Sequence, residues 1–314
     1  MGSRMLSFTI ILLCTAPILS YAVNPDWSAW ERSKWRRSSS SSSSTRNVPP
    51  EGYYSPLAAG GSMLTLAQNT WPVGQGEPLN AIISGNSDER VLQDKEEDGG
   101  LRNYFLSFGF AGECLGQHVG DHQAADLGDG RGFHNETAVI RWNYGDPQLG
   151  TCKETIQGGN HFRYWVQDGP SANSGAIFMA TSYEKSLDEQ HGIVQNGYNL
   201  GRDWLVGNIT GNFIDTPNVT DSTTFTGTTS WSNYTYQTDI KYVSGLLQNT
   251  NIGINHNDSV SVNGMNASDG LVAVLLVKIT ETPQQASASW TLSPPQFWQL
   301  QLLSLLFLSP LLLS

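Results

Sequence analysis

The stretch GLVAVLLVKI, residues 270–279, decides the fold. Apolar side chains occupy consecutive positions in it, so a strand formed here would be apolar on both of its faces. Such a strand is typical of the interior of a sheet that is covered on both sides. We therefore predict that this stretch forms a central strand, near the end of a folded body that extends to about Thr280.

Further strands are predicted upstream of this stretch. Three segments are rich in β-branched or aromatic residues, namely TAVIRW (137–142), HFRYWVQ (161–167) and AIFMATSY (176–183). A fourth segment, PLNAIISG (78–85), is a short apolar run bounded by turn residues. Residues 223–242 are rich in Thr and aromatic residues, which indicates outer strands that carry glycans.

Alternation along residues 161–167 predicts which side chains share a face of their strand. One face receives Phe162, Tyr164 and Val166, and the other receives His161, Arg163 and Trp165.

Two short helices are predicted as well. Apolar residues repeat at helical spacing from Leu101 to Phe108. A second helix is predicted over residues 199–209 with Asn199 as its N-cap, although Gly201 and Gly207 weaken it. Strands and helices mix without a regular βαβ order, so the fold class is α+β. We expect a single mixed-sheet domain over residues 51–280, packed from about Leu64 onward, with two or more short helices.

Composition excludes several classes of protein. The formal net charge of the 314 residues is -11, which excludes broad electrostatic attraction to nucleic acid or to an anionic bilayer. No run of 18 or more apolar residues lies in the middle of the chain, so a protein with several membrane spans is excluded too.

Residues 1–22 are typical of a secretory signal peptide. Arg4 supplies a positive start, residues 6–19 supply an apolar stretch, and Ser20-Tyr21-Ala22 offers small residues for cleavage. The alternative is a signal anchor or a core helix. Cleavage is favoured because the apolar stretch is short and contains Pro17.

Residues 281–314 are typical of a glycosylphosphatidylinositol (GPI) attachment signal. Small residues at 286–289 precede a short spacer and an uncharged, Leu-rich end, and Ser287 is the predicted attachment residue. The alternative is a tail anchor. It is disfavoured because no Lys or Arg follows the apolar end and Pro310 interrupts it. The predicted partner is therefore the outer leaflet of the plasma membrane, reached through a lipid.

The remainder of the sequence agrees with export. Six N-glycosylation sequons predict a glycosylated surface, at Asn135, Asn208, Asn218, Asn233, Asn257 and Asn266. Cys14 would leave with the signal peptide, so Cys114 and Cys152 are expected to form one disulfide. A free catalytic thiol is the alternative.

Residues 23–50 form a basic, Ser-rich arm that is expected to be disordered, since it has too few apolar residues to pack. Arg36-Arg37 allows two interpretations. Cleavage after Arg37 would make the arm a propeptide, and without cleavage the arm is a linker open to O-glycosylation.

One candidate site lies in the loop QHVGDHQAADLGDGRGFH, residues 117–134. On a helix, His118, His122 and Asp126 would share a face and could bind a divalent metal. Gly120 argues against a regular helix. The alternative is therefore a loop whose polar side chains bond its own backbone.

A second candidate site joins two distant segments, and its catalytic candidates are His161, Arg163, His191, Arg202 and Asp203. A histidine base beside an arginine that holds an oxyanion would suit phosphoryl or acyl transfer. The alternative is a buried polar network that orients a helix on the sheet. The sequence contains no GxxxxGK[ST], GxSxG or HExxH motif, and it identifies no cofactor.

The order of several motifs carries a resemblance to a known family. PLN before an apolar run, NHFRYW at 160–165, NGYNLGRDWLV at 196–206 and SDG at 268–270 follow one another. In this order the chain resembles the LssY carboxy-terminal domain family from about residue 78 to 280, and it is similar to secreted fungal proteins that share the loop at 116–130. The matched positions are His161, Arg163, Trp165, His191, Arg202, Asp203 and Asp269. Residues 109–160, with both cysteines, are an insertion relative to the family. The resemblance implies a fold and a polar centre, and it implies no reaction.

Two functions fit these features. The first is a noncatalytic, GPI-anchored surface glycoprotein that binds a partner, such as a cell-wall glycan or a protein. The second is a surface-tethered hydrolase that uses a centre of His161, His191 and Arg202, or a metal bound by His118 and His122. A secreted effector or toxin-like role is a third alternative.

Overall fold

We analysed a computed structural model of the chain, which describes residues 46–118, 120–262 and 264–284. The predicted signal peptide, most of the basic arm with Arg37, and the attachment residue Ser287 lie outside these residues. None of the helices within the described ranges has the length and apolar character needed to cross a bilayer.

An eight-stranded mixed sheet forms the centre of the described residues. Its strands are β1 (Ala81–Ile83), β2 (Phe110–Gly112), β5 (Ala138–Trp142), β6 (Gly159–Asp168), β7 (Asn173–Glu184), β8 (Thr224–Trp231), β9 (Tyr234–Val243) and β12 (Val272–Glu281). They lie in the order β2-β5-β6-β7-β1-β12-β9-β8. The pairing of β1 with β12 is parallel, and the other pairings in this sheet are antiparallel.

Two short ribbons lie beside the sheet. One pairs β3 (Ala124–Ala125) with β4 (His134–Asn135), and the other pairs β10 (Asn249–Thr250) with β11 (Ser268–Asp269). Four α-helices complete the described fold, namely α1 (Leu101–Ser107), α2 (Gly150–Gln157), α3 (Gly197–Thr210) and α4 (Asn257–Val260). This arrangement confirms the α+β class and the single mixed sheet.

The strand that the sequence places at the centre is an inner strand of the sheet. β12 lies between β1 and β9, and its side chains enter two separate apolar clusters. Ala273, Leu275 and Val277 face the helix side, whereas Val272 belongs to the opposite side. A fully buried Leu or Val side chain stabilises a fold by about 1.5–3 kcal/mol. A strand with side chains buried on both of its faces therefore stabilises the fold more than a strand buried on one face. The prediction from residues 270–279 is confirmed.

The helix side of the sheet holds the larger cluster. Side chains of α1, such as Tyr104 and Phe105, pack there with Leu205 and Val206 of α3. Phe162 and Tyr164 of β6 belong to this cluster, whereas Trp165 belongs to the opposite one. The alternation predicted for residues 161–167 is therefore confirmed.

The opposite side of the sheet is covered mainly by connecting segments, together with helix α2, whose Glu154 contacts Arg141 of β5. Met63, Leu79, Leu127 and Leu247 from three such segments pack on Trp165. Because these segments carry many polar residues, this side can bury charged side chains next to the sheet. We call it the loop-covered face.

The ordered body begins earlier than predicted. The N–H of Asn47 donates to the carbonyl of Asn173, and a guanidinium N–H of Arg46 donates to the carbonyl of Gly85. The end of the predicted arm, residues 46–50, and the segment before Leu64 are therefore part of the fold. Composition alone did not show this, because backbone hydrogen bonds to an edge of the fold require no apolar side chains.

Helix α3 begins before its predicted N-cap. Asn196, with a left-handed φ of 57°, is the N-cap residue, and Asn199 lies inside the helix. Gly201 permits a close approach of this helix to β7, since a Cβ at this position would lie 2.6–2.9 Å from backbone atoms of Ser182. The glycine that weakened the helix prediction is thus a packing residue.

The expected disulfide is present, and it joins Cys114 to Cys152 at the start of α2. It closes a loop with a sequence separation of 38 residues. In the chain-entropy model a closure of this length stabilises the fold by roughly 4 kcal/mol. It also fixes one end of the segment that carries His118 and His122.

Candidate functional site

Neighbouring strands bring polar side chains together on the loop-covered face. Arg141 of β5 lies opposite His161 of β6, which in turn lies opposite Ser182 of β7. Glu184 follows two positions later on β7, so it shares the face of Ser182. The resulting row of charged groups is positioned by the register of three antiparallel strands.

His161 and His191 approach the same carboxylate, that of Glu184. Nε2 of His161 lies 3.5 Å from Oε1 of Glu184, and Nδ1 of His191 lies 3.6 Å from its Oε2. His161 is only 2% exposed. Burial lowers the pKa of His161 to about 4, so its ring is neutral at ordinary pH. A base this deeply buried is out of reach of a substrate in the folded protein.

Arg141 holds the surrounding carboxylates in place. One guanidinium nitrogen donates to Glu154 at 2.9 Å and to Glu184 at 3.2 Å. Burial raises the pKa of Glu154 to about 7, despite the opposing charge of Arg141. Burial alone would raise the pKa of Glu184 too, but His161, His191 and Arg141 together lower it to about 2. The two carboxylates therefore differ in their protonation near neutral pH.

Several polar atoms on this face are buried without a hydrogen-bond partner. They include Oε2 of Glu77, Oε1 of Glu154, Nδ1 of His161 and Nε of Arg163. Burial raises the pKa of Glu77 above its ordinary value. Unpaired buried polar atoms cost about 1–3 kcal/mol each, so apolar packing elsewhere in the fold has to offset them.

Arg202 and Asp203 belong to a different group from the histidines. The guanidinium of Arg202 donates to both oxygens of Asp203 and to both oxygens of Asp269, at 2.7–3.0 Å. It also donates to the carbonyl of Leu271, and the hydroxyl of Tyr242 donates to Asp203. Arg202 is fully buried. It thus fixes α3 to the segment that leads into β12, and it does not join His161 and His191.

Arg163 also contacts residues outside the predicted catalytic group. It donates to Oε1 of Glu136 at 2.7 Å and to the backbone carbonyl of Asp121 at 3.3 Å. Both acceptors lie in the segment that contains the predicted metal loop. Arg163 therefore connects β6 to that loop.

The metal loop brings its two histidines together without forming a helix. The rings of His118 and His122 stack with centroids 4.4 Å apart and planes inclined by 5°. Gly120 lies between them with a φ of 97°, a backbone conformation that favours glycine. The structure does not bring the third predicted ligand, Asp126, into this group: its Oδ1 accepts a hydrogen bond from the N–H of Gly128.

Glu136 takes the place predicted for Asp126. Its Oε1 lies 3.1 Å from Nδ1 of His122 and 3.9 Å from Nε2 of His118. On its far side, His118 contacts Oε2 of Glu113 through Nδ1 at 2.7 Å. Sequence reasoning missed both glutamates, because they follow no periodicity with the histidines and meet them only through the fold.

A polar groove of about 720 Å³ lies beside the Arg202 group, and its lining includes no residue of the His161 group or of the His118 group. Its polar lining consists of four amides and two hydroxyls, from Asn196, Asn199, Asn249, Asn266, Thr216 and Thr220. Asp269 lines it as well, but its carboxylate is engaged by Arg202. Several of the amides hold one another, since Asn199 donates to Asn196 and Asn266 donates to Asn249. The sequence offered no signal for this groove, because its lining comes from four separate segments.

The sequons differ in their exposure. Asn135, Asn218 and Asn233 are exposed, and Asn257 and Asn266 are partly exposed. Asn208 is the exception, because the Nδ2 atom that would carry a glycan is buried inside the fold.

No protein-family model, curated protein or solved structure matches this chain. The resemblance to the LssY carboxy-terminal domain family stays a prediction from the motifs.

Proposed function

We propose that this protein is a noncatalytic cell-surface glycoprotein that binds a polar glycan in the groove between α3 and the 249–271 segment. The groove carries the proposal, because amides and hydroxyls both donate and accept hydrogen bonds, as the hydroxyl groups of sugars require. Its amides are oriented by bonds to one another, which reduces the entropy lost when a ligand binds.

The absence of a catalytic set within the groove supports binding rather than hydrolysis. Among its described lining residues, Asp269 is the only titratable one, and both of its carboxylate oxygens accept hydrogen bonds from Arg202. A glycosidase needs two carboxyl groups, one of them able to donate a proton, on either side of the scissile bond. The groove offers no such pair.

The hydrolase alternative has weaker support. His161 and His191 contact Glu184, whereas Arg202 contacts Asp203 and Asp269. A base and an oxyanion holder have to contact the same reacting group, and these residues lie in separate networks.

The surface location is proposed from the ends of the sequence, with a lipid anchor at Ser287 on the outer leaflet of the plasma membrane. The disulfide and the exposed sequons are typical of an oxidising, extracellular compartment. Mass spectrometry of the C-terminal peptide tests the anchor. A mature protein that ends in the apolar tail, without lipid, would contradict it.

A glycan array tests the binding function. The full-length chain is expressed in a eukaryotic secretory host and assayed as wild type and as Asn249→Ala, which removes one groove amide. Loss of a single hydrogen bond predicts about two- to tenfold weaker binding. Asn212→Ala is the matched control, because Asn212 is an exposed asparagine outside the groove lining.

N-glycans attached to the protein itself could cover the groove, so the array experiment needs a second condition. Asn266 lines the groove and the neighbours of Asn218 line it too, so both sequons lie at its edge. The array is therefore repeated after enzymatic trimming of the N-glycans. Binding in neither state, or equal binding by wild type and Asn249→Ala, would contradict the proposal.

A further inference from the structure

The group formed by His118, His122 and Glu136 has a ligand set outside the proposed glycan groove. Two imidazole nitrogens and one carboxylate oxygen lie within 4.8 Å of one another. Two histidines with one carboxylate are the protein ligands of many zinc sites that leave a fourth position for water or substrate. The donor types therefore suit a borderline divalent cation such as Zn²⁺.

The distances between these atoms fit a single ion. Zinc bonds to histidine nitrogen and carboxylate oxygen are about 2.0–2.2 Å long, so tetrahedral ligand atoms lie roughly 3.3–3.5 Å apart. The measured separations from Oε1 of Glu136 are 3.1 Å to His122 and 3.9 Å to His118. An ion would draw His118 and Glu136 together by about half an ångström, and the exposed His122 ring would have to turn out of its stack on His118 so that both nitrogen lone pairs point at the ion.

A further carboxylate orients one of the ligands. Glu113 Oε2 lies 2.7 Å from Nδ1 of His118, so the ring donates its N–H there and directs the lone pair of Nε2 toward Glu136. This carboxylate–histidine contact is the arrangement that fixes the ring of a metal-bound histidine and raises its basicity. It is a second observation, independent of the three ligands themselves.

The segment that carries the site is restrained by the fold. The disulfide begins at Cys114, next to Glu113, and the N–H of Gln123 donates to Oε2 of Glu136. Arg163 holds Oε1 of the same glutamate. Glu136 is buried, whereas the side chain of His122 is 52% exposed, so one ligand is fixed and another is accessible to an entering ion.

A second cluster of possible ligands, Glu154, His161 and Glu184, fits a cation less well. Arg141 donates to both of its carboxylates, and His161 is 2% exposed. Glu154 is buried as well, whereas the first cluster offers an entering ion the half-exposed His122.

We infer that His118, His122 and Glu136 form a zinc-binding site, with Glu113 as a positioning residue for His118. This site is separate from the glycan groove, and it holds whether or not the groove binds glycans.

Zinc titration by calorimetry tests this inference on the full-length chain, purified without a histidine tag and stripped of metal. We expect one equivalent of Zn²⁺ to bind the wild type. His122→Ala should bind at least roughly tenfold more weakly, and Glu113→Gln about 10–100-fold more weakly. His256→Ala, which changes an exposed histidine outside the cluster, should bind like the wild type.

His122→Ala is suited to this test because His122 is half exposed and contacts the cluster mainly through Glu136. Circular dichroism checks that each variant is folded, and substitution by Co²⁺ adds a readout, since its visible spectrum reports the coordinating atoms. Absence of stoichiometric zinc binding, or equal affinity in wild type and His122→Ala, would overturn the inference. A loss of zinc in His256→Ala equal to that in His122→Ala would overturn it as well.

Discussion

At the scale of single residues, the Arg202 side chain shows how a candidate catalytic group can be structural. It uses its guanidinium donors on Asp203, Asp269 and the carbonyl of Leu271, and it is fully buried. The sequence left two alternatives open for this arginine. In a catalytic centre its guanidinium would be free to hold a substrate, whereas in a buried network it would be bonded to other groups of the protein. The geometry favours the network.

Arg202→Leu is expected to destabilise the fold by about 3–5 kcal/mol, because it leaves two carboxylates without their buried partner. Urea unfolding followed by circular dichroism measures this change. Arg90→Leu is the control, since Arg90 forms a partly exposed pair with Asp88 that contributes at most about 1 kcal/mol. Equal costs in the two variants would contradict the structural role of Arg202.

The buried His161 predicts a specific dependence of stability on pH. Burial lowers the pKa of His161 to about 4 from its ordinary value of 6.5. Between these pH values the unfolded chain binds a proton that the folded chain does not, so acidification from 6.5 toward 4 favours unfolding. Glu154 acts in the opposite sense, because its raised pKa of about 7 makes the folded chain bind the additional proton above pH 4.5.

The variant His161→Gln separates these two contributions. It removes the histidine and keeps Glu154, so its melting temperature should fall less than that of the wild type between pH 6.5 and pH 4. Differential scanning calorimetry at several pH values measures both proteins. Parallel curves for the two proteins would show that His161 is not the buried neutral group described here.

The face of the strand on which a side chain lies could be predicted from the sequence. The residues of other elements that contact this side chain could not. Alternation placed His161 and Arg163 on the correct face, because the period of a strand is fixed by its geometry. Glu136 and Glu184 meet these residues through strand register and loop path, which depend on the whole fold. For this reason the helical spacing of the loop predicts Asp126 as a metal ligand, whereas no spacing indicates Glu136.

At the scale of elements, helix α3 is positioned by a glycine. Its residue Gly201 lies against β7, and the carbonyl of Gly201 accepts a hydrogen bond from Asn160 on β6. Helix propensity alone would favour alanine at this position by about 1 kcal/mol. The contact with Ser182 reverses that preference.

Gly201→Ala is therefore expected to destabilise the protein, by about 1–3 kcal/mol for an overpacked contact. Gly112→Ala is a matched control, because Gly112 has open space where its Cβ would lie. Thermal unfolding of both variants gives the comparison. A stabilised Gly201→Ala variant would mean that α3 does not approach β7 as closely as described.

Most strands of the main sheet could be predicted from the sequence because they bury long runs of side chains, but the three-residue strand β2 was missed. The start of α3 could not, since Asn196 and Asn199 are both acceptable N-cap residues and only the backbone conformation distinguishes them. The two-residue strands at β3 and β10 were missed as well. Pairs this short are formed by the loops they close and leave no pattern in the sequence.

At the scale of the whole molecule, the six sequons should not behave alike. Asn135, Asn218 and Asn233 are exposed, whereas Nδ2 of Asn208 is buried in helix α3. A glycan on Asn208 would have to displace the packing around the helix. We expect the first three sites to be occupied in the mature protein and Asn208 to be bare.

Glycopeptide mass spectrometry of protein from a eukaryotic secretory host measures the occupancy of each site. Asn208→Gln should leave the apparent mass of the mature protein unchanged, while Asn233→Gln should reduce it by one glycan. A glycan at Asn208 in folded protein would contradict the placement of this residue.

For the whole molecule we propose two separate roles, a buried charge network that stabilises the fold and a groove of amides and hydroxyls that binds a glycan. The fate of a bound glycan tests that account most directly. The glycan selected on the array is incubated with the full-length protein, with and without added zinc, and its mass is then measured. The account predicts that the glycan is recovered intact under both conditions, and a shortened glycan would contradict it.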